Sequence, residues 1–259
     1  MNYILLFIIF VFIAVFSLRY NWWRKPKSYN KARVLMYHSI EKQHNEKFDK
    51  WRVKPFDFEK QIKWLYKNGF KSYTISELCD LNSIPKKSVV ITFDDGYESV
   101  FLNAFSVLKK YNFKATIYLL PNQTTNHWES KNTAFISNML KNDQILDMIE
   151  SGLIEFGAHT INHVNLLTCD NQKNEIENSK HEVEKITGKK CESFAYPYGK
   201  FDENIINLVK NSGFKNAVIV KRGLFEYNDN KFNIKRIGIL GTESFFDFYL
   251  RFTRIRNKI

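Results

Sequence analysis

Val89-Val90-Ile91-Thr92-Phe93-Asp94-Asp95-Gly96 is an apolar, largely β-branched run that stops at two carboxylates and a glycine. Val89 to Phe93 reads as a buried strand, and Asp-Asp-Gly as the turn that closes it. A second run, Ile154 to Ala158, reads the same way and delivers His159-Thr160-Ile161-Asn162-His163. An acidic pair and a histidine pair, each where a strand runs out, are the parts of a metal-assisted hydrolase. Asp95, His159 and His163 would offer one carboxylate and two neutral nitrogens to a divalent ion and leave positions open for water and substrate. Asp94 would then be free to act as a base. Adjacent carboxylates repel, and one of them would protonate in a barrel mouth unless a cation lay beside it. The two histidines are four apart, so a helical turn or a compact loop can aim both at one point.

Working outward, the same alternation recurs. Val34 to Tyr37 reads as a short strand ending at His38, Pro55 opens a helical pattern stopped by Gly69, and Tyr97 to Tyr111 carries apolar residues at helical spacing. Ala115 to Leu120 is strand-like, and the polar stretch from Pro121 to Asn138, with Trp128 and Phe135, is long enough for a substrate-side loop. A helix around Ile145 and Met148 closes at Gly152, Asn171 to Thr187 is a charged helix, and Ser193 to Tyr196 is a strand before Pro197-Tyr198-Gly199. Glu203 to Asn211 is a helix, Lys215 to Val220 a strand, and Ile234 to Leu240 a late strand-like segment bearing Arg236. Strand and helix in alternation predict a parallel, barrel-like α/β architecture, with its ligand site at the carboxyl ends of the strands. His38, Asp94, Asp95, His159, His163 and Tyr198 all fall at or just past such ends, so one fold gathers every reactive candidate on one face.

Tyr3 to Leu18 is apolar apart from Ser17 and is followed by Tyr20, Trp22 and Trp23. With Met1 and Asn2 it would span about 27 Å as a helix, slightly short of the roughly 30 Å hydrocarbon core of a bilayer, with the aromatic residues at the interface. No basic residue precedes the run and no small-residue cleavage site follows it, which points to an uncleaved anchor rather than a removed signal peptide. The expected organisation is an anchor over 1–20, a basic linker over 21–33 and a catalytic domain over 34–259. A chain of 259 residues that is 44% hydrophobic can bury one substantial core. Its net charge of +12 is concentrated, since six basic and no acidic residues lie between Arg19 and Arg33. A nucleic-acid partner is therefore not expected. By the positive-inside rule that cluster would hold the following domain in the cytoplasm. Cys79, Cys169 and Cys191 are odd in number and widely spaced, so they imply no disulfide framework. The stretch from Phe245 to Ile259 mixes aromatic residues with Arg251, Arg254, Arg256 and Lys258. It reads as a last helix packed on the barrel, or as one lying on an anionic membrane surface.

Thr92-Phe93-Asp94-Asp95-Gly96, the His159 and His163 pair, and Phe194-Ala195-Tyr196-Pro197-Tyr198-Gly199 resemble, in order and separation, the motifs of the polysaccharide deacetylases, the NodB-homology carbohydrate esterases. The resemblance covers roughly Arg33 to Gly241. It implies a distorted, incomplete (β/α) barrel and a metal-dependent N-deacetylase, with Asp94 as base and Asp95, His159 and His163 as ligands, usually of zinc, with cobalt or nickel as alternatives. Tyr198 takes the position whose backbone N–H helps hold the oxyanion, and Tyr196 and Pro197 of the same motif would flank substrate. Many members place the general acid on a late histidine, but no histidine follows His181 here. Val34-Leu35-Met36-Tyr37-His38-Ser39 resembles the amino-terminal motif of the branch acting on biofilm poly-N-acetylglucosamine, where motif order is permuted and the early histidine is the acid. His38 is the acid on that reading. Ala195 stands where many members have an arginine that orients the base, and Arg236 is the candidate to reach the site from the opposite side, where it would also bind substrate.

The expected activity is removal of acetyl groups from an N-acetylated hexosamine polymer by a protein held at the bacterial membrane. The polymer would call for an extracytoplasmic domain, against the basic flank. A lipid-linked or lipid-A-type amino sugar is an alternative substrate, and a noncatalytic glycan-binding protein of the same fold an alternative role. Trp128, with Phe135, would stack on sugar faces. A peptide-cleaving zinc enzyme would need a His-Glu-x-x-His pattern that this chain lacks.

Overall fold

Parallel strands form the centre of the molecule, described here from a computed structural model over residues 2–131 and 133–258. Strands β1 (Arg33–Tyr37), β4 (Lys71–Tyr73), β5 (Ser88–Phe93), β6 (Ala115–Leu119), β7 (Ile154–Ala158), β8 (Ser193–Ala195), β9 (Asn216–Val218) and β10 (Ile237–Gly238) make one sheet. Its order is β10-β1-β5-β6-β7-β8-β9, with β4 added beside the first half of β5, and every pairing is parallel. A second ribbon pairs β2 (Ser39–Ile40) with β3 (Arg52–Val53). Strands buried on both faces need apolar runs without alternation, and β1, β5 and β6 are buried along their whole length.

The sheet curls towards closure. Lys231 to Arg236 exchanges backbone hydrogen bonds with Ala217, Ile219 and Lys221, while the following Ile237 and Gly238 pair with β1. The interior is filled by Val34, Val90, Tyr118, Ala195, Val218 and Ile234 among others. Gly157 makes that filling possible, since a Cβ there would lie 2.6 Å from the Tyr118 ring and 2.7 Å from the Ser193 carbonyl.

Helices α2 (Pro55–Lys67), α3 (Ile75–Asp80), α4 (Ser106–Tyr111), α5 (Asn142–Glu150), α6 (Gln172–Thr187) and α7 (Glu203–Asn211) connect the strands. Three local features differ from the expectation. The helix expected from Tyr97 begins as wide π-type turns over Val100–Phe105 before α4, and α3, whose start is capped by Thr74 with Glu77 reaching back, stands in a stretch that carried no expectation. The expected late strand narrows to Ile237–Gly238.

By contacts the chain divides into Tyr29–Thr242, which holds the barrel, and a smaller unit joining residues up to Ser28 with those from Glu243 on. That division differs from the boundaries 1–20, 21–33 and 34–259. In the smaller unit α1 (Asn2–Arg19) has no buried residue and is long and apolar enough to cross a membrane, a test that an anchor and a signal sequence both pass. The carboxyl-terminal helix α8 (Phe245–Arg254) belongs to this unit, with Phe246 5.8 Å from the rings of both Phe16 and Tyr20.

Candidate active site

At the carboxyl ends of β1, β5, β7 and β8 lies a cavity of about 320 Å³. Its walls include His38, Trp51, Asp94, Asp95, Glu129, His159, His163, Tyr196 and Tyr198. The turn after β5 throws its two carboxylates in different directions because Asp95 and Gly96 take left-handed backbone angles, φ 72° and 81°. Asp94 stays in line with the strand, its N–H donating to the Tyr37 carbonyl at 3.0 Å.

Arg236 meets Asp94 with both prongs of its guanidinium, Nη1 donating to Oδ1 at 2.6 Å and Nη2 to Oδ2 at 2.8 Å. The arginine is fully buried, with Nη1 also donating to Thr92 Oγ1 and Nε to the Ile219 carbonyl. Four hydrogen bonds thus tie the guanidinium to the protein. Burial alone would raise the Asp94 carboxyl, but the Arg236 charge and hydrogen bonds, with smaller contributions from His159 and His38, outweigh it and hold the pKa down to about 2. Arg236, expected at the substrate, is not among the residues that line the cavity and meets Asp94 instead. It comes from the segment just before β10, whereas Ala195 lies on β8.

Asp95 points the other way. Its Oδ1 lies 3.5 Å from Nε2 of His159 and 3.5 Å from Nε2 of His163, and the donor atoms of the three residues lie within 4.8 Å of one another. His159 Nδ1 is 2.7 Å from the Ala195 carbonyl, which fixes the N–H on that side and leaves the Nε2 lone pair facing Asp95. His163 sits on an irregular loop rather than a helical turn, at φ 52°, after Thr160 at φ 67°. That loop is held by Glu175 in the first turn of α6, whose Oε2 accepts from the N–H groups of Ile161 and Asn162 at 3.0 Å each.

The electrostatics of the three are those of a site built around a cation. Burial, then the neighbouring Asp94 and Glu129, push the Asp95 carboxyl well above its ordinary range. Burial lowers His159, and burial with the His159 and His38 charges lowers His163 well below its ordinary value. Asp95 Oδ1 is buried and accepts no hydrogen bond. A buried carboxylate oxygen without a donor, facing two neutral imidazole nitrogens, fits a divalent ion, and this donor set suits zinc, cobalt or nickel.

The remaining candidates divide. His38 lines the cavity with its ring 4.5 Å from that of Trp51, and burial, partly offset by Asp94, lowers its pKa to about 4. Tyr198 is half exposed at φ 57°, with its ring 4.5 Å from that of His163. Tyr196 reaches the wall but is fully buried, its hydroxyl donating to the Phe232 carbonyl. Pro197 is buried and is not among the residues that line the cavity. Trp128 stands behind His163, ring centroids 5.2 Å apart, rather than in the lining. Phe135 stacks on His44 at 3.8 Å and Thr133 accepts from the buried Arg52 at 2.9 Å, contacts that pin the long loop to the barrel.

Trp51 and Glu129 line the cavity and Glu175 holds the histidine loop, and the sequence reading names none of them. Only Glu175 carried a signal, an acidic residue in the first turn of the helix that follows the histidine pair.

The barrel with this site defines a hydrolase of the carbohydrate N-deacetylase class. The polysaccharide deacetylase family model matches residues 82–217, and the chain belongs to that family, whose members hydrolyse N-acetyl amide bonds. The chain is 29% identical over 233 residues to the poly-β-1,6-N-acetyl-D-glucosamine N-deacetylase of Staphylococcus epidermidis, covering 80% of this chain and 78% of that protein. It also superposes on a Bacillus cereus polysaccharide deacetylase with a TM-score of 0.74 at 30% identity, covering 85% of this chain and 68% of the other. A Bacillus anthracis crystal structure gives 0.72 at 31%, covering 83% of this chain, which spans 66% of that one.

Proposed function

We propose that this protein is a metal-dependent N-deacetylase that removes acetyl groups from N-acetylhexosamine residues of a β-1,6-linked N-acetylglucosamine type of polymer. The observation that carries the reading is the division of labour in the acidic pair. Arg236 takes Asp94 and keeps it ionised, while Asp95 turns away to face His159 and His163. The relative named for poly-β-1,6-N-acetyl-D-glucosamine supports the choice of substrate.

A divalent ion on Asp95, His159 and His163 would supply Lewis acidity, polarising the amide carbonyl and lowering the pKa of a water molecule. Asp94 takes the proton of the attacking water at a carboxylate oxygen that Arg236 holds still. The Tyr198 N–H donates to the oxyanion as the carbonyl carbon becomes tetrahedral. His38 protonates the leaving sugar nitrogen, and acetate and a free amine result. Burial keeps His38 neutral in the resting site, so the proton it hands on is one received during turnover. A carboxyl held near 2 releases a captured proton readily, and Asp94 and His38 line the same cavity. Trp51 against His38 and Tyr198 against His163 offer ring faces to a sugar.

Acetate release from β-1,6-linked and β-1,4-linked N-acetylglucosamine oligomers, with zinc, cobalt or nickel supplied, tests the reading. Release from the β-1,6 series in the presence of metal is expected. Bound metal with no acetate from either series would overturn it in favour of a glycan-binding role. We further propose that α1 is a single-pass anchor and that the barrel faces outwards, where such a polymer lies. A reporter fused to the carboxyl terminus checks the orientation, and a cytoplasmic result would favour a lipid-linked amino sugar as substrate.

A further inference from the structure

Half of the chain's charge sits in its smallest part. The unit that joins residues up to Ser28 with those from Glu243 on carries eight basic and two acidic residues, +6 of the total +12. Both acids are internal. Glu243 pairs with Arg251, and Asp247 caps α8 through Ser244 and accepts from Asn257 at 2.9 Å. Among the described residues the exposed side-chain charge of this unit, on Arg24, Lys25, Arg256 and Lys258 among others, is therefore all positive.

The two ends of the chain are stitched together at the level where α1 stops. Tyr20, the residue after α1, bridges antiparallel to Lys258, and Lys27 N donates to the Thr253 carbonyl at 2.8 Å. Arg254 donates to the carbonyls of Arg24 at 2.8 Å and Trp22 at 2.9 Å, so its guanidinium is a staple rather than a free cation. Phe246 packs on Phe16 and Tyr20, in and just beyond the last turn of α1. Between the helices runs an apolar groove of about 520 Å³, walled by Phe12, Ile13, Phe16, Phe246, Tyr249 and Leu250. If α1 spans a bilayer, a helix packed on its final turn lies at the depth of the headgroups, with the groove opening towards the chains and Arg256 and Lys258 beside the basic flank of the anchor.

We infer that α8 and the tail to Lys258 form, with residues 19–27, one cationic membrane-interface unit that binds anionic phospholipid, an acyl chain along the groove and the headgroup at the exposed basic residues. The inference rests on the anchor reading of α1. It assigns the carboxyl-terminal segment a lipid contact that the deacetylase chemistry does not use. Charge complementarity and the shared depth carry it, since polybasic segments beside a spanning helix are attracted to anionic leaflets and an amphipathic helix buries its apolar face there.

Trp22 and Trp23 are more than 40% exposed and report on neighbouring lipid. The full-length protein would be reconstituted into bilayers containing brominated phosphatidylglycerol or brominated phosphatidylcholine at equal mole fraction, and tryptophan quenching measured. Preference for phosphatidylglycerol by roughly fivefold or more is expected at low salt, the factor that one cation near an anionic surface confers. The preference should collapse towards one in 0.5 M salt, an arm that needs no variant. It should also fall several-fold in Arg256→Glu/Lys258→Glu, with circular dichroism and acetate release unchanged. Equal quenching by both lipids, or a preference indifferent to salt and to charge reversal, would overturn the lipid site while leaving the anchor intact. Quenching by neither lipid would overturn the anchor reading and the lipid site together, and acetate release from soluble oligomers would still report separately on the deacetylase.

Discussion

Arg236 and Asp94 stand 142 residues apart in sequence and form a two-pronged hydrogen bond, 2.6 and 2.8 Å, with no exposed surface on the arginine. Without the guanidinium, burial would dominate and raise the Asp94 carboxyl. The base must be ionised to act, so activity is lost as pH falls through that raised pKa and regained as pH rises above it. In Arg236→Gln the acid limb of kcat/KM should move from below pH 5 to near neutrality, with a loss of about a hundredfold at pH 6 and partial recovery at pH 8 to 9. Arg236→Lys should shift the limb less. Removing one partner of a buried pair also costs roughly 3–5 kcal/mol of stability, so the profiles need melting curves beside them. An unchanged acid limb in a folded Arg236→Gln protein would mean that Arg236 does not set the Asp94 protonation state.

Asp94→Asn and Asp95→Asn should fail in different ways. Asp94 is committed to Arg236, so Asp94→Asn should lose three or more orders of magnitude in kcat and keep its bound metal. Asp95 faces the imidazoles, so Asp95→Asn should lose metal as well as turnover. Metal content by mass spectrometry, beside acetate release, separates the two. Stripping the wild-type protein with a chelator should abolish release, and added zinc, cobalt or nickel should restore it.

Tyr198 offers a test of backbone against side chain. Its N–H is assigned to the oxyanion and its ring lies against His163. Tyr198→Ala keeps the N–H and should raise KM while kcat stays within about tenfold, the pattern for lost ground-state contacts. Tyr198→Gly should behave similarly and relieve the φ 57° strain. Tyr198→Pro removes the N–H and cannot reach that φ, so kcat should fall by 10² or more. A kcat collapse in Tyr198→Ala would move the role from the main chain to the ring or hydroxyl.

What the sequence made readable follows from where apolar runs stop. Val89 to Phe93 and Ile154 to Ala158 are long enough to declare themselves as strands, and their abrupt ends place Asp94, Asp95 and His159 at one rim. His163 could be paired with His159 by spacing alone, although its loop conformation could not, because that depends on Glu175 capping two N–H groups from another element. The strands β2 and β3 are two residues each and carry no period, so the ribbon that presents Trp51 to His38 was invisible. Thr74-Ile75-Ser76-Glu77 is a capping box, a sequence signal for the start of α3. The link between Arg236 and Asp94 is a product of barrel curvature, and sequence could supply only the vacancy at Ala195 and a late arginine in search of a partner.

Gly241 shows how that ribbon reaches the chemistry. A Cβ at Gly241 would lie 1.7 Å from the Arg52 carbonyl oxygen and 2.8 Å from that of Asp49, so Gly241→Ala must move backbone and not merely a side chain. Gly241 N also donates to the Lys50 carbonyl at 2.9 Å, tying the same segment down. The segment displaced is Lys50-Trp51-Arg52. Trp51 forms the wall against His38, and Arg52 holds the long loop through Thr133. Gly241→Ala should therefore cost roughly 3 kcal/mol and also lower kcat/KM by tenfold or more in the fraction that stays folded. Gly152→Ala is the matched control, since φ there is 67° but nothing lies within 4 Å of the added carbon. It should cost about 1 kcal/mol through backbone strain alone and leave kcat/KM unchanged. Thermal melts with acetate release at a temperature where both variants are folded would compare them. If Gly241→Ala lost stability yet kept full activity, the ribbon would be scaffolding and Trp51 no part of the substrate wall.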